Sequence, residues 1–281
     1  MQKAGCFFKS IVPLLVVIVL QLAVSAPLYI IYTFLHANDN GGGLTGIAAA
    51  LDSADSSTVL IQVINLIYGI LAVFIFVSWY RKVFVLPARR RKWENQASRR
   101  PSGFSFHNIT ALFFLAVGLQ YVTTFVVDIV SRIHPAWLTA YQNMMDTAGY
   151  GSNSLMLVLY SIILAPVVEE TVFRGLIFRY ARHALPFWIA NIWQAFLFGL
   201  LHMNMLQGIY AFITGLVLGF VCHRGRSIRY SVLMHIFFNI VGIFYSGLIE
   251  ITTVLSYPLF ISLGIALTVF ALWLFYTDFS R

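Results

Sequence analysis

Eight apolar stretches, each near the length that crosses a membrane, constrain the fold of this chain more than any other feature. A spanning helix needs about 20 predominantly apolar residues. The chain is 60% hydrophobic and only 10% charged, whereas a soluble domain carries about 25% charged residues. The sequence therefore predicts an all-α, polytopic transmembrane helical bundle of about eight spans. The approximate limits of the spans are 11–34, 59–80, 109–130, 154–174, 187–203, 209–222, 228–245 and 257–276.

The distribution of Lys and Arg predicts the orientation of the chain. Eight of these residues lie between Arg81 and Arg100, and the positive-inside rule places such a loop in the cytoplasm. Alternation of the spans then puts both termini in the cytoplasm. The charged residues of the predicted outer segments are mainly acidic, with one arginine, namely Asp39, Asp52, Asp55, Asp146, Glu250 and Arg132.

The chain divides into three predicted parts. Residues 1–150 hold three transmembrane helices and a basic cytoplasmic loop at 81–108, residues 151–246 hold a core of four helices, and residues 247–281 hold a last helix. A juxtamembrane basic loop binds acidic lipid headgroups, so we expect lipid contact rather than nucleic-acid binding. Cys6 and Cys222 predict neither a disulfide framework nor a zinc site, because no second pair of ligands is spaced around them.

The first of three polar clusters inside the apolar stretches is Glu169-Glu170 with Arg174. Charged groups are costly in hydrocarbon and normally face a bundle interior or a water-filled cavity. Glu170 and Arg174 are at i,i+4 and are expected to form an ion pair, while Glu169 is rotated by about 100° and faces elsewhere. A helix-end ion pair near the cytoplasmic boundary is the alternative, and it leaves Glu169 without a partner.

The other two clusters are His202, four residues after Phe198, and His235 with Asn239 at i,i+4. Taken alone, His202 fits a packed histidine, and the other pair fits interhelical hydrogen bonding worth about 0.6 kcal/mol. A structural protein needs one or two such contacts, not three helices that each present acid–base or amide groups. The clusters together therefore predict one polar site.

This set of side chains suits the hydrolysis of an amide bond. A carboxylate and a histidine can hold and deprotonate a water, and a second histidine with an amide can donate to a developing oxyanion. Glu169, His202 and His235 could instead bind Zn²⁺, which would acidify the water. The sequence contains neither HExxH nor GxSxG, so zincin-type and serine hydrolysis are disfavoured.

The motifs EETVFR, Phe198-Gly-Leu-Leu-His202 and His235-Ile-Phe-Phe-Asn239 resemble EExxxR, FxxxH and HxxxN of the CPBP family, the CAAX protease and bacteriocin-processing (Abi) intramembrane endopeptidases. The resemblance covers roughly 155–245. It implies that Glu169 and His202 activate the water and that His235 and Asn239 form the oxyanion site.

The resemblance further implies supporting roles for Glu170, Arg174 and Phe198. We expect a glutamate-type protease without a cofactor rather than a metalloprotease, because an amide ligand such as Asn239 is unusual for zinc.

The resemblance leads us to expect an intramembrane endopeptidase of a bacterial plasma membrane, acting on peptide or membrane-protein substrates. The helix spacing suggests a cavity one to three turns deep, open to the cytoplasmic leaflet, with the hairpin of the fourth and fifth spans projecting by about 10–15 Å. A non-enzymatic scaffold or bacteriocin self-immunity protein is the alternative. A proton-coupled transporter is a third hypothesis, disfavoured because no inverted repeat is evident.

Overall fold

A computed structural model describes residues 3–37, 42–43, 45–47, 49, 57–87, 104–152, 154–244 and 256–278. These residues form ten helices and no strand, which confirms the all-α prediction. The helices are α1 (Lys3–Lys9), α2 (Val12–Ala37), α3 (Thr58–Tyr80), α4 (Phe106–Ile133), α5 (Pro135–Ala148), α6 (Leu155–Arg182), α7 (Phe187–Leu201), α8 (Met205–Arg224), α9 (Ile228–Phe244) and α10 (Ser256–Asp278).

Helices lie at all eight predicted stretches. In the described part of the chain, five are long and apolar enough to cross a membrane, and three shorter apolar helices accompany them. The chain is thus a multi-pass membrane protein, while the number of spans and the cytoplasmic termini stay predictions. Residues 88–103 of the basic loop lie outside the described residues, as do four acidic residues of the predicted outer segments, namely Asp39, Asp52, Asp55 and Glu250.

Helix α5 is an element that the sequence reading did not predict. It begins with Pro135 and is followed by Gly149 in the left-handed conformation, with φ of 87°. Proline suits the first turn of a helix because its fixed φ is already helical, and glycine suits the position after the end. A search for apolar stretches misses α5 because its 14 residues mix polar and apolar side chains.

Helix α6 contains two π-helical segments, one on each side of the segment that holds the predicted carboxylates. Two π-helical segments, Tyr160–Leu164 and Thr171–Ile177, flank the α-helical segment Ala165–Glu170. Pro166 lacks an N–H, and its ring would clash with the carbonyl four residues earlier, so a wider turn at this point accommodates the ring. Such π-helical turns occur frequently at functional sites.

The described residues form two large apolar clusters and two small ones. One large cluster joins side chains of α2, α3, α6 and α7 with Ala211 of α8, and the other joins α4, α8, α9 and α10. Helix α10 lies so close to α4 that a Cβ on Gly118 would be 2.7 Å from the Thr268 backbone nitrogen. Packing therefore crosses the boundaries predicted at residues 150 and 246, and the division into three parts stays a prediction.

Gly219 on α8 allows a close approach to α7. Asn191 on α7 donates from Nδ2 to the Leu216 carbonyl at 3.0 Å, and a Cβ on Gly219 would collide with the Asn191 side chain. Gly219→Ala is therefore expected to lower the free energy of unfolding by about 1–3 kcal/mol through overpacking. Thermal unfolding in detergent measures this change. Gly5→Ala is the control, because nothing lies within 4 Å of that position; equal midpoints for the two variants would contradict the prediction.

Candidate active site

The structure brings the four predicted catalytic side chains to one cavity. Glu169, His202, His235 and Asn239 all line a space of about 640 Å³, together with Phe198. This volume lies within the range of about 300–1,000 Å³ that small-ligand sites occupy. Side chains from α6, α7 and α9 therefore converge, as the sequence predicts.

The two adjacent glutamates have different environments. Glu170 is fully buried, and its Oε1 accepts hydrogen bonds from Arg174 Nη1 at 2.8 Å and from His235 Nδ1 at 2.9 Å. The Glu169 side chain is 21% exposed and faces the cavity. Only Glu169 of this pair is therefore placed to meet a substrate or a water.

Arg174 holds Glu170 from inside the protein. Its side chain is 0% exposed, Nη2 donates to the Gly215 carbonyl at 3.2 Å, and the guanidinium carbon lies 4.5 Å from the centre of the Phe198 ring. The predicted ion pair is thus present. It is buried within α6 rather than exposed at the end of that helix, and its depth in the membrane stays a prediction.

The contact with Glu170 fixes the orientation of His235. Because Glu170 Oε1 already accepts from Arg174, the imidazole Nδ1 is assigned as the donor in its hydrogen bond to Oε1. The opposite nitrogen, Nε2, then lies 3.7 Å from Glu169 Oε2. This separation exceeds that of a direct hydrogen bond.

His202 lies at the end of α7 rather than inside it. The sequence reading extended this helix to residue 203, but α7 ends at Leu201 and Met203 has a positive φ of 53°. The His202 Nδ1 donates to the Phe198 carbonyl at 2.8 Å, which satisfies one of the carbonyls left without a partner at a helix end. Its Nε2 is consequently the nitrogen for chemistry in the cavity.

Asn239 is fixed by the first π-helical segment of α6. Its Nδ2 donates to the Ser161 carbonyl at 2.7 Å, and the Ser161 hydroxyl contacts the Tyr150 hydroxyl at 3.0 Å. A side-chain amide nitrogen can donate twice, so one N–H can serve this bond and the other a ligand. Burial raises the pKa of Tyr150, opposed by its hydrogen bond to Ser161, so this hydroxyl stays protonated.

Several residues that line the cavity were not predicted from the sequence. Gln21, Asn65 and Gln120 lie outside the three polar clusters, yet all three line the cavity. Five more lining residues belong to α5 and the turn after it, namely Tyr141, Met144, Met145, Ala148 and Tyr150. The Pro135 and Gly149 signals could have located α5, whereas no sequence signal separates cavity-lining glutamines from packed ones.

The alternative zinc set does not form a metal centre as the side chains stand. Among the described residues, no group of three or more His, Cys, Asp or Glu side chains is placed to hold a metal ion. The Nδ1 contacts of His202 and His235 with Phe198 and Glu170 leave both Nε2 atoms open, as in many metal-ligating histidines, so they do not bear on metal binding. Metal independence stays a prediction.

The family comparison matches the segment that holds this site. Residues 151–241 match the model of the Rce1-like family, described as type II CAAX prenyl endopeptidase Rce1-like. The match is consistent with a CPBP intramembrane protease and indicates an enzyme that acts on peptide bonds. It includes the motifs of Glu169, His202, His235 and Asn239. Comparisons with curated proteins and with solved structures gave no significant match.

Proposed function

We propose that this chain, whose residues 151–241 form an Rce1-like domain, is an intramembrane endopeptidase of a bacterial plasma membrane. It hydrolyses peptide bonds with a water activated by Glu169 and His202, and it stabilises the oxyanion with His235 and Asn239. Its substrates are peptides or membrane proteins in contact with lipid, and it binds no nucleic acid. It needs no cofactor. Peptide cleavage in the presence of a chelator tests whether zinc is required.

The reaction starts with a water held between the Glu169 carboxylate and His202 Nε2. Glu169 removes a proton while the water oxygen bonds to the carbonyl carbon of the substrate. The protonated Glu169 then gives its proton to the departing amine as the C–N bond breaks, and the carboxylate is restored. No proton is left over, because the water supplies both the hydroxyl of the new acid and the hydrogen of the new amine.

His235 and Asn239 face the oxygen that becomes negative during the attack. Asn239 donates its second N–H, and His235 donates from Nε2 when both ring nitrogens carry a proton. Donors fixed before the reaction stabilise developing charge without reorganisation. Glu170 orients the imidazole, Arg174 holds Glu170, and Phe198 packs edge-on against His202 and His235 at ring distances of 4.9 and 6.0 Å.

The observation that carries the proposal is the division of roles between the two glutamates. Glu170 is buried and makes hydrogen bonds to Arg174 and His235, whereas Glu169 is partly exposed in a cavity shared with two histidines and an amide. An ion-pair network that served only stability would not require the second carboxylate or the cavity.

Replacing Asn239 with Ala is expected to lower kcat about 10²–10³-fold, the usual cost of removing one oxyanion donor, with little change in KM. Steady-state kinetics on a cleaved peptide measure both constants. Asn143→Ala, at an exposed position of α5, is the control and should retain wild-type rates. A rise in KM at unchanged kcat would assign Asn239 to substrate binding instead.

The proposed function is tested with a fluorogenic peptide library and purified protein in detergent. Wild type and Glu169→Ala are compared, each with and without a chelator. Cleavage that is lost in Glu169→Ala but persists with chelator supports a glutamate-type protease. Loss in both conditions indicates a metal enzyme and overturns the cofactor-free mechanism.

A non-enzymatic scaffold or immunity protein is the rival, and one observation favours it. His202 and Asn239 each donate to a backbone carbonyl, as purely structural polar side chains do in membranes. Equal results for wild type and Glu169→Ala across the library would favour this rival.

A further inference from the structure

The helix ends of the bundle form two faces of different charge. At one face, Phe84 beyond α3 contacts Tyr180 at 5.2 Å, Phe187 stacks on His223 at 4.3 Å, and Arg224 donates to the Tyr276 carbonyl at 3.0 Å. We call this face the basic end. The basic side chains that belong to it are Lys9, Arg81, Lys82, Arg179, Arg182, Arg224, Arg226 and Arg229.

The opposite face carries α5 and little positive charge. Gln62 near the start of α3 donates to the Ala148 carbonyl at 3.1 Å, and Tyr141 on α5 contacts Tyr210 near the start of α8. Among the described Lys and Arg residues, only Arg132 belongs to this face, where it pairs with Asp128 at 2.9 Å. We call this face the α5 end.

The cavity lies in the half of the bundle next to the α5 end. On α8 its lining residues run from Gln207 to Thr214 and include none from the second half of that helix. On α9 they start at His235 and continue away from the basic end to Ile243. Helix α5 contributes Met144 and Met145 directly.

A packed layer closes the route from the cavity to the basic end. Five side chains between the site and that face are each 0% exposed, namely Arg174, Leu176, Ile177, Leu218 and Met234. Phe173 lines a separate small cavity of about 120 Å³ beside Glu169 and His202. Protein interiors such as this layer are packed as densely as organic crystals, so they leave no passage for a peptide. The site is therefore separated from the basic end.

We infer that the cavity receives its substrate from the non-cytoplasmic side of the membrane. The positive-inside rule assigns the basic end to the cytoplasm, and the six further Lys and Arg residues at 88–103 strengthen that assignment. The α5 end then faces outward. This differs from the expectation of a cavity open to the cytoplasmic leaflet, which rested on residue counts along the helices.

The inference narrows the substrate class, and in that respect it rests on the proposed function. The peptide bond cleaved belongs to a segment exposed on the outer face of the membrane, such as an exported peptide or the outer juxtamembrane part of a membrane protein. A prenylated carboxyl terminus of a cytoplasmic protein would meet the closed basic end.

Cysteine labelling tests the access side without requiring catalysis, so its result is independent of the activity test above. The chain contains two cysteines, both buried, which Cys6→Ala and Cys222→Ala remove. Single cysteines are then introduced by Thr124→Cys in the cavity, Asn143→Cys on α5, and His183→Cys, an exposed position in the turn between α6 and α7 at the basic end. Met144→Cys is a second cavity probe, used if Thr124→Cys does not fold.

The probe is a membrane-impermeant maleimide, applied to intact cells and then to permeabilised cells. We expect the cavity and α5 thiols to react in intact cells and the His183→Cys thiol to react only after permeabilisation. Labelling of His183→Cys alone in intact cells would overturn the inference. Protection of both cavity thiols until permeabilisation, or their failure to react in either condition while the denatured protein reacts fully, would overturn it as well.

Discussion

Glu169→Gln is expected to lower kcat/KM for peptide cleavage by about 10²–10⁴-fold, the usual contribution of a positioned general base. The amide keeps the size of the side chain but cannot take the proton from water. Because the Glu169 side chain is partly exposed, the folded state should survive the change. Kinetics on the same peptide, with unfolding temperatures measured in parallel, test both statements.

Asp128→Asn provides the matched control for Glu169→Gln. It also removes a carboxylate from a membrane helix, but that carboxylate pairs with Arg132 and does not line the cavity, and the Arg132 side chain is 64% exposed. We expect wild-type rates from it. A Glu169→Gln protein that is folded and cleaves at the wild-type rate would remove Glu169 from the mechanism.

Arg174→Ala is expected to destabilise the protein by about 3–5 kcal/mol, because it leaves the charge of Glu170 buried without its partner. Both side chains of this pair are 0% exposed, so water cannot replace the guanidinium. The variant should unfold at lower temperature or denaturant concentration in detergent. It should also lose activity, since Glu170 orients His235.

The exposed ion pair of Arg132 and Asp128 on α4 provides the control for Arg174→Ala. Arg132→Ala removes the same type of side chain from an i,i+4 pair at the surface, where such a pair contributes about 0–1 kcal/mol. A similar small loss from Arg174→Ala would show that the buried pair is not required for the fold. Activity lost at unchanged stability would assign Arg174 to orientation alone.

The pairing of Glu170 with Arg174 could be predicted from sequence because it depends only on i,i+4 spacing within one helix. The convergence of Glu169, His202, His235 and Asn239 also followed, since polar groups in apolar helices must share an interior space. These predictions depend on local geometry and on the cost of burying polar atoms, which the sequence expresses directly.

The hydrogen bond from His235 to Glu170 could not be predicted from residue spacing. It joins α6 to α9 across 65 positions of the chain, and Glu170 is the last residue before the second π-helical segment of α6. The sequence reading assumed regular helix and assigned His235 only to the oxyanion site. The observed bond adds a second function, since Glu170 fixes which imidazole nitrogen faces the cavity.

The inferred access from the outer side also differs from the expectation of a cavity open to the cytoplasmic leaflet, and the difference has a physical reason. Counting residues from helix ends placed the site near the cytoplasm, but it could not include α5, which lines the cavity from the opposite end. Nor could it reveal the buried layer around Leu176 and Leu218. Depth along one helix does not determine access, because access depends on what the neighbouring helices fill.

Photo-crosslinking of a bound peptide tests most directly the central claim that this cavity is where the peptide bond is cleaved. A cleaved peptide is resynthesised with a photoreactive residue beside the scissile bond and bound to the folded Glu169→Gln protein, and the adducts are mapped by mass spectrometry. We expect adducts on cavity residues such as Tyr160, Phe198 and Met144. Adducts confined to the exposed surface of the helix bundle, for example at Trp273 on α10, with none in the cavity, would contradict the claim.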